Sequence, residues 1–180
     1  MRSSGKIRPM RQPQPNEAAE YYFPYIDLAP TDDIISFLND QLKQTMPFLE
    51  SISEEQSLHS YAPDKWTIRQ LMNHVNDGER IFLHRALWFA RGFKDPLPSF
   101  DQEIAVEGSN ANEVPWAQLV EEFRTARLAT LSFFLNMPAE AWSRTGIASD
   151  NPFTVNALAY IIAGHAAHHM NVLKERYLTQ

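Results

Sequence analysis

Apolar side chains recur at intervals of three and four residues along the stretch DKWTIRQLMNHVNDGERIFLHRALWFARG. Ile68 begins this stripe, which continues to Phe89 and stops at Gly92. The spacing is that of one face of an α-helix, and Thr67 supplies a capping side chain at its start. The predicted helix of about 25 residues is long enough to cross a small domain from end to end.

Three further segments show the same helical period. The first begins at Thr31 and ends near Glu50, the second runs from Pro115 to just before Pro138, and the last begins at Thr154 and continues to the end of the sequence. No segment shows strand-like alternation over more than four residues. Four long amphipathic helices without a sheet predict an all-α fold, a four-helix bundle.

The 180 residues are predicted to form one domain preceded by an arm, since 44% hydrophobic and 21% charged residues are typical of a globular chain. Residues 1–20 hold three prolines and four basic residues, which favours a flexible, irregular N-terminal arm and leaves residues 21–180 for the bundle. The following YYFPYIDLAP is too apolar to stay solvated, so we expect an irregular strap lying on the domain. The connection from Gly92 to Val114 leaves room for a crossover between helices.

Charge and composition exclude several classes of function. A formal net charge of −6 argues against a nucleic-acid-binding surface, because such surfaces need clustered lysine and arginine. The chain has no cysteine, so any metal must be bound by histidine, aspartate or glutamate. The basic residues of the first 20 positions are not followed by an apolar stretch, and no run of about 18 apolar residues occurs in the sequence. We therefore expect a soluble cytoplasmic protein that binds neither nucleic acid nor membrane.

Half of the six histidines lie in GHAAHHMNVL, inside the last predicted helix. His165 and His169 are four residues apart, so their imidazoles can bind one ion from the same helical face. His165 and His168, three apart, form a competing pair that the sequence does not exclude. We prefer His165 and His169 because the four-residue spacing is the one used by zinc-binding helices.

A catalytic metal site generally needs a third protein ligand. His59, His74 and His84 are the candidates, and His74 is best placed because it shares a helical face with Ile68 and Leu71. A single histidine on an apolar face is more often a hydrogen-bonded core residue. The pair on the last helix is what makes a metal-binding role for His74 worth testing.

Two acidic residues follow His74 on the same predicted helix. Asp77 and Glu79 could hydrogen-bond the second nitrogen of a metal-binding imidazole or act as a base in catalysis. An ion pair with Arg80 or Arg85 is the structural alternative, and it is the one favoured for acids in the middle of a helix.

The segments KWTIRQLMNHVNDGERIFLHRALWFARG, PLPSFD and NALAYIIAGHAAHHMNVLKERYL resemble the DinB-like (DinB/YfiT) superfamily of metal-dependent proteins over residues 21–178. The resemblance implies a four-helix bundle, often a homodimer, with a three-histidine site for nickel, zinc or another divalent ion. Carried over by position, the metal ligands would be His74, His165 and His169, with His168 a neighbour.

The resemblance also implies what such a site does. Members with known activity include thiol transferases that use bacillithiol-type or mycothiol-type cofactors and a mycothiol-dependent isomerase, while many others are described as hydrolases. Some members carry HxxxHxE and act in sulfoxide synthesis, but Asn171 stands at the last position here, which argues against that chemistry.

We therefore expect a divalent-metal-dependent enzyme whose three histidines activate water or a thiol for a small-molecule substrate, in the manner of a hydrolase or a thiol S-transferase. A low-molecular-weight thiol could be the cosubstrate, and PLPSFD would form part of the pocket wall. The alternative is a dimeric helical bundle that binds a metal or a small ligand without catalysis.

Overall fold

The structure is a computed structural model and describes residues 11–178. Its helices and strands, in chain order, are α1 (Phe23–Ile26), α2 (Ile34–Glu50), α3 (Ile68–Ala90), α4 (Gln102–Gly108), α5 (Trp116–Leu135), β1 (Thr145–Ala148), β2 (Asn151–Thr154) and α6 (Val155–Val172). A π-helical turn, Leu173–Tyr177, extends α6. Within the described residues, no helix combines the length and the apolar character needed to span a membrane.

Four long helices, α2, α3, α5 and α6, form the bundle predicted from the sequence. Helix α3 packs against α5 and α6, and α2 packs against the same two helices, so α2 and α3 lie at opposite corners. The chain therefore crosses the bundle between α2 and α3 and again between α5 and α6. The contacts between α3 and α5 rise together along both helices, from Asn76 with Leu119 to Arg91 with Phe133, so these neighbouring helices are parallel. The connection 92–114 therefore returns along the length of the bundle, which is the crossover that its length allowed instead of a tight hairpin.

Capping side chains mark the beginning of three of the four bundle helices, α2, α3 and α6. The Thr67 hydroxyl accepts a hydrogen bond from the Gln70 amide, and the Gln70 side chain accepts one from the Thr67 amide, which completes a capping box for α3. Asp33 caps α2 through the Ser36 amide, so this helix begins later than the predicted Thr31. Thr154 caps α6 through the amide of Ala157, as its position in the sequence predicts.

A short antiparallel hairpin precedes α6, so the chain is not strictly all-α as predicted. Strands β1 and β2 have four residues each and are joined by Ser149 and Asp150, both with positive φ, at 50° and 59°. Positive φ at both central residues is the conformation of the two-residue turn that matches strand twist. Strands of four residues have too few alternating positions to be distinguished, from sequence, from a turn-rich connection.

The long connection between α3 and α5 is attached to this hairpin. The Leu97 amide donates to the Ile147 carbonyl at 2.9 Å, and the Ser149 amide donates to the Leu97 carbonyl at 3.1 Å. Asp101 then caps α4 by accepting from the Glu103 and Ile104 amides. These bonds hold the PLPSFD segment and the hairpin turn at the same end of the bundle.

Part of the predicted arm lies outside the described residues, and the part that is described packs on the domain. Ala18 is buried, the Thr154 amide donates to the Glu17 carbonyl at 2.9 Å, and the Asn156 side chain donates to the Arg11 carbonyl at 3.1 Å. Residues 11–20 therefore differ from a flexible arm, because the N-terminal end of α6 supplies hydrogen-bond partners for their backbone.

The apolar YYFPYIDLAP segment forms the expected strap, with α1 as a single helical turn within it. It crosses α6 at Gly164, where a Cβ atom would lie 1.8 Å from the carbonyl oxygen of Tyr25. Because only a glycine permits this approach, the strap lies directly on the helix backbone. The close approach also fixes Tyr25 beside the histidine-bearing part of α6.

A buried ion pair connects the four bundle helices. Arg127 of α5 is fully buried and binds both carboxylate oxygens of Glu79 on α3, at 2.7 and 2.9 Å. It also donates to the side-chain oxygen of Gln41 on α2 at 2.6 Å, and Gln41 donates to the Ala163 carbonyl on α6 at 2.8 Å. This single network of hydrogen bonds therefore includes a group from each of the four bundle helices.

Candidate metal centre

His74, His165 and His169 lie together where α3 packs against α6, and we call them the histidine cluster. The Nε2 atom of His165 is 3.0 Å from Nε2 of His74 and 3.2 Å from Nε2 of His169. The nitrogen atoms available as ligands all lie within 4.8 Å of one another. The structure thus brings the three histidines preferred from the sequence to one point.

The spacing of these nitrogens fits a single metal ion. Two nitrogens bound to one ion at about 2.0–2.1 Å, with about 90–110° between them, stand about 2.8–3.4 Å apart. The distances of 3.0 and 3.2 Å fall within this range. Hydrogen bonding alone accounts for the arrangement less well, because a neutral ring nitrogen carries either one proton or one lone pair. Nε2 of His165, with two neighbours, can make only one well-directed hydrogen bond.

Burial keeps the three imidazoles in the neutral form that binds metals. It lowers the pKa of His74 to about 4 and the pKa of His169 to about 3. The pKa of His165 is lowered well below its usual value, first by burial and then by the neighbouring His169 and His74. Near neutral pH the ring nitrogens that face one another therefore offer lone pairs instead of repelling charges.

Two further features shape the cluster. Gly78 lies one turn after His74 on α3, and a Cβ atom there would be 2.6 Å from Cε1 of the His165 ring. The absent side chain therefore leaves the space that this imidazole occupies. The Nδ1 atoms of His74 and His169 are buried and have no hydrogen-bond partner among the described residues. No carboxylate of residues 11–178 orients these two rings through Nδ1.

The two acids predicted as weak catalytic candidates have other partners. Asp77 accepts a hydrogen bond from Asn73 at 2.9 Å and lies 3.5 Å from the Arg80 guanidinium. Glu79 is held by Arg127 in the core of the bundle. The suggestion that Glu79 hydrogen-bonds a metal-binding imidazole was wrong, because its position along α3 turns it towards α5 instead of α6. Asp77 has the predicted ion-pair partner Arg80, whereas Glu79 forms its ion pair with Arg127 instead of Arg80 or Arg85.

The remaining histidines stand apart from the cluster. His168 packs its ring against those of Tyr25 and His169, with centroid distances of 5.3 and 4.9 Å, but contributes no atom to the group of converging nitrogens. His59 and His84 are exposed residues whose rings lie near Tyr177 and Trp88. Of the two pairs left open by the sequence, the structure brings His165 and His169 together with His74.

The histidine cluster lies in the wall of a pocket of about 440 Å³, which we call the aromatic pocket. Its lining comprises Tyr21, Tyr22, Tyr25, Trp66, His74, Gly78, Ile81, Phe82, Arg85, Phe100, Gln102, Ser149, His165 and His169. Phe100 belongs to PLPSFD, the segment expected in the pocket wall. Sequence reasoning missed Arg85 as a pocket residue, although it follows His74 on α3 by about three helical turns. Ser149 was missed because its position depends on the hairpin turn.

The lowered pKa values predict that metal-free protein loses stability in mild acid. The unfolded chain takes up protons at imidazoles near pKa 6.5, whereas folded His74 and His169 do so only near pKa 4 and 3. Between these values the unfolded state holds more protons, so the free energy of unfolding falls as pH falls below about 6.5. Urea unfolding in the presence of a chelator, measured at several values between about pH 7 and pH 5, tests this.

Two double variants test whether the buried histidines cause this pH dependence of stability. A chain with His74→Gln and His169→Gln is expected to show a shallower fall in the urea midpoint over the same interval. A chain with His59→Gln and His84→Gln, which loses two exposed histidines, should retain the full slope. Equal slopes in the two double variants would contradict the assignment to buried imidazoles.

Comparison with known proteins places this geometry in a family. Among solved structures, YfiT from Bacillus subtilis, described as a probable metal-dependent hydrolase with an unusual four-helix bundle topology, is 15% identical in sequence. The structural match has a TM-score of 0.67 and covers 92% of this chain and 90% of that chain, which shows a shared fold. No curated protein matches the chain. The model of the DinB superfamily matches residues 38–173, well over half of the sequence, and the chain therefore belongs to the DinB superfamily.

Proposed function

We propose that this chain is a divalent-metal-dependent enzyme that activates water or a thiol, acting as a hydrolase or a thiol S-transferase on a small molecule. The observation that carries the proposal is the convergence of three neutral imidazole nitrogens in the wall of the aromatic pocket. The description of YfiT as a probable metal-dependent hydrolase supports the same chemistry.

The number of ligands favours a catalytic site over a structural one. Structural zinc sites generally use four protein ligands, whereas catalytic sites use three and leave a position for water or substrate. Among residues 11–178, no fourth histidine, aspartate or glutamate joins the cluster. The pocket provides space for a substrate on the side that the three imidazoles leave open. His74, His165 and His169 would hold a divalent ion, which would lower the pKa of a water or thiol bound to it.

The chain's own residues would exclude bulk water and orient a substrate. Trp66 and Phe82 pack their rings 5.2 Å from the His74 ring and 5.7 Å from the His165 ring. Burial and the neighbouring Tyr21 raise the pKa of Tyr25 to about 12, so its phenol keeps its proton at neutral pH. Tyr25 lines the pocket and can donate a hydrogen bond to a polar group of the substrate.

The metal and the cosubstrate remain part of the proposal. Imidazole ligands suit nickel and zinc, and neutral nitrogen donors do not by themselves choose between them. A low-molecular-weight thiol is a candidate cosubstrate because a metal ion at this site would favour its thiolate form. Homodimerisation stays a prediction based on the resemblance to the family.

Metal loading followed by activity measurements tests the proposal. Protein purified without a histidine tag and dialysed against zinc or nickel is expected to hold about one ion per chain. We expect turnover of an activated ester, or of 1-chloro-2,4-dinitrobenzene with an added small thiol, to require that ion. Chelation should remove the activity, and adding the metal back should restore it.

The same experiment decides between the enzyme and the non-catalytic alternative. Full loading without metal-dependent turnover across the ester and thiol assays would favour a bundle that only binds metal. Failure to bind either ion would overturn the metal-dependent enzyme and would leave a bundle that binds a small ligand.

A further inference from the structure

Arg85 is a buried cation in the wall of the aromatic pocket, and its surroundings differ from those of the other buried arginines. Its relative exposure is 4%, similar to the 4% of Arg69 and the 0% of Arg127. Arg127 forms two hydrogen bonds to the carboxylate of Glu79, and Arg69 pairs with Glu54. Within residues 11–178, Arg85 forms no ion pair with any carboxylate.

The contacts that Arg85 does make are neutral. One terminal nitrogen donates to the Ser149 hydroxyl at 2.9 Å, and the guanidinium carbon lies 5.7 Å from the centre of the Phe82 ring. A guanidinium has five N–H donors, and a buried charge is costly unless an anion accompanies it. The pocket is the side from which such an anion can reach Arg85, because Arg85 lines it.

The charge of the pocket points the same way. No aspartate, glutamate or lysine lines it, and Arg85 is the one arginine among its described lining residues. A positive pocket in a chain of net charge −6 attracts anions selectively. The Ser149 hydroxyl, placed by the hairpin turn, and the Gln102 amide add neutral hydrogen-bonding groups near the same wall.

The position of Arg85 on α3 sets its distance from the histidine cluster. Arg85 follows His74 by eleven residues, with Gly78 and Phe82 between them on the same helical face, which separates their Cα atoms by about 16 Å along the helix axis. Phe82 lines the pocket between these two positions. An apolar body lying along Phe82 would therefore have one end near the histidine cluster and the other near Arg85.

We propose that Arg85 and Ser149 form an anion-binding subsite that selects substrates with an apolar body and a carboxylate or similar oxyanion at the far end from the reacting bond. That the bound anion is a substrate rests on the function proposed above, whereas the binding of an anion at Arg85 does not. A guanidinium binds a carboxylate through two parallel hydrogen bonds, which gives orientation as well as affinity. The subsite would thereby fix which bond of the substrate faces the histidine cluster.

The test compares 4-phenylbutyrate with its uncharged analogue 4-phenylbutyramide by isothermal titration calorimetry. The wild-type chain, both metal-loaded and treated with chelator, is expected to bind the carboxylate at least about tenfold more tightly than the amide. Arg85→Gln is expected to reduce that ratio to about one. Arg80→Gln, which removes an exposed arginine paired with Glu122, should leave the ratio unchanged.

The outcomes of this test decide whether the anion-binding subsite exists, whether or not the protein binds a metal. Equal affinities for the two probes, no binding of the carboxylate, or a preference that survives Arg85→Gln would overturn the subsite. A preference that persists in chelator-treated protein excludes direct binding of the carboxylate to metal and supports Arg85. Metal content, measured on every sample, reports on the proposed function independently. Arg85→Met, which keeps an apolar stem, replaces Arg85→Gln should that variant not fold, and the wild-type comparison needs no variant.

Discussion

Replacing His165 with alanine is expected to weaken the binding of a divalent ion by more than about a hundredfold, since even the loss of a group that only orients a ligand costs 10–100-fold. His165 is the central member of the histidine cluster, with its Nε2 atom 3.0 and 3.2 Å from those of His74 and His169. Its removal leaves two ligands and opens a cavity between α3 and α6.

His168→Ala is the matched control because it removes the same side chain from the same helix. The His168 ring lies beside Tyr25 and His169 but adds no ligand atom to the cluster. Competition titration against a chromophoric chelator should show near-wild-type affinity for this variant and a large loss for His165→Ala. Similar losses in both variants would refute the assignment of ligands, and circular dichroism checks that each variant is folded.

The three histidines could be predicted because helical geometry is local. The spacing of His165 and His169 places both on one face of a helix whatever surrounds it, and His74 falls on the apolar face of the predicted helix that begins at Thr67. Their convergence needed only that α3 and α6 pack together. All three histidines lie on the apolar faces of α3 and α6. Burial between these faces lowers their pKa values.

The rest of the pocket depends on contacts that no local pattern encodes. Ser149 reaches Arg85 across 64 positions of sequence through a hairpin whose strands have four residues each. The diagonal placement of α2 and α3 follows from packing choices among four similar amphipathic helices. Glu79 illustrates the limit most clearly, because its partner Arg127 lies on another helix 48 positions away. Whether Glu79 pairs with Arg127 or with an imidazole depends on how all four helices are arranged.

Arg127→Leu is expected to lower the free energy of unfolding by about 3–5 kcal/mol, because it leaves a buried carboxylate without its cation. Glu79 is 2% exposed and Arg127 is fully buried, so water cannot replace the two lost hydrogen bonds without opening the core. The Gln41 side chain also loses the donor that lies 2.6 Å from its oxygen. Urea unfolding monitored by circular dichroism measures the change, which is a large fraction of the stability of an ordinary domain.

The double variant Glu79→Leu and Arg127→Leu separates the ion pair from a catalytic role of Glu79. Removing both charges eliminates the unpaired carboxylate, so most of the lost stability should return, and a double-mutant cycle should show strong coupling between the two sites. The affinity for a divalent ion should stay near that of the wild type, since Glu79 binds Arg127 and contacts no member of the histidine cluster. A double variant that is stable but has lost metal binding would instead connect Glu79 to the metal centre. Because the double variant retains no buried charge at these positions, it carries the test even if Arg127→Leu alone does not fold.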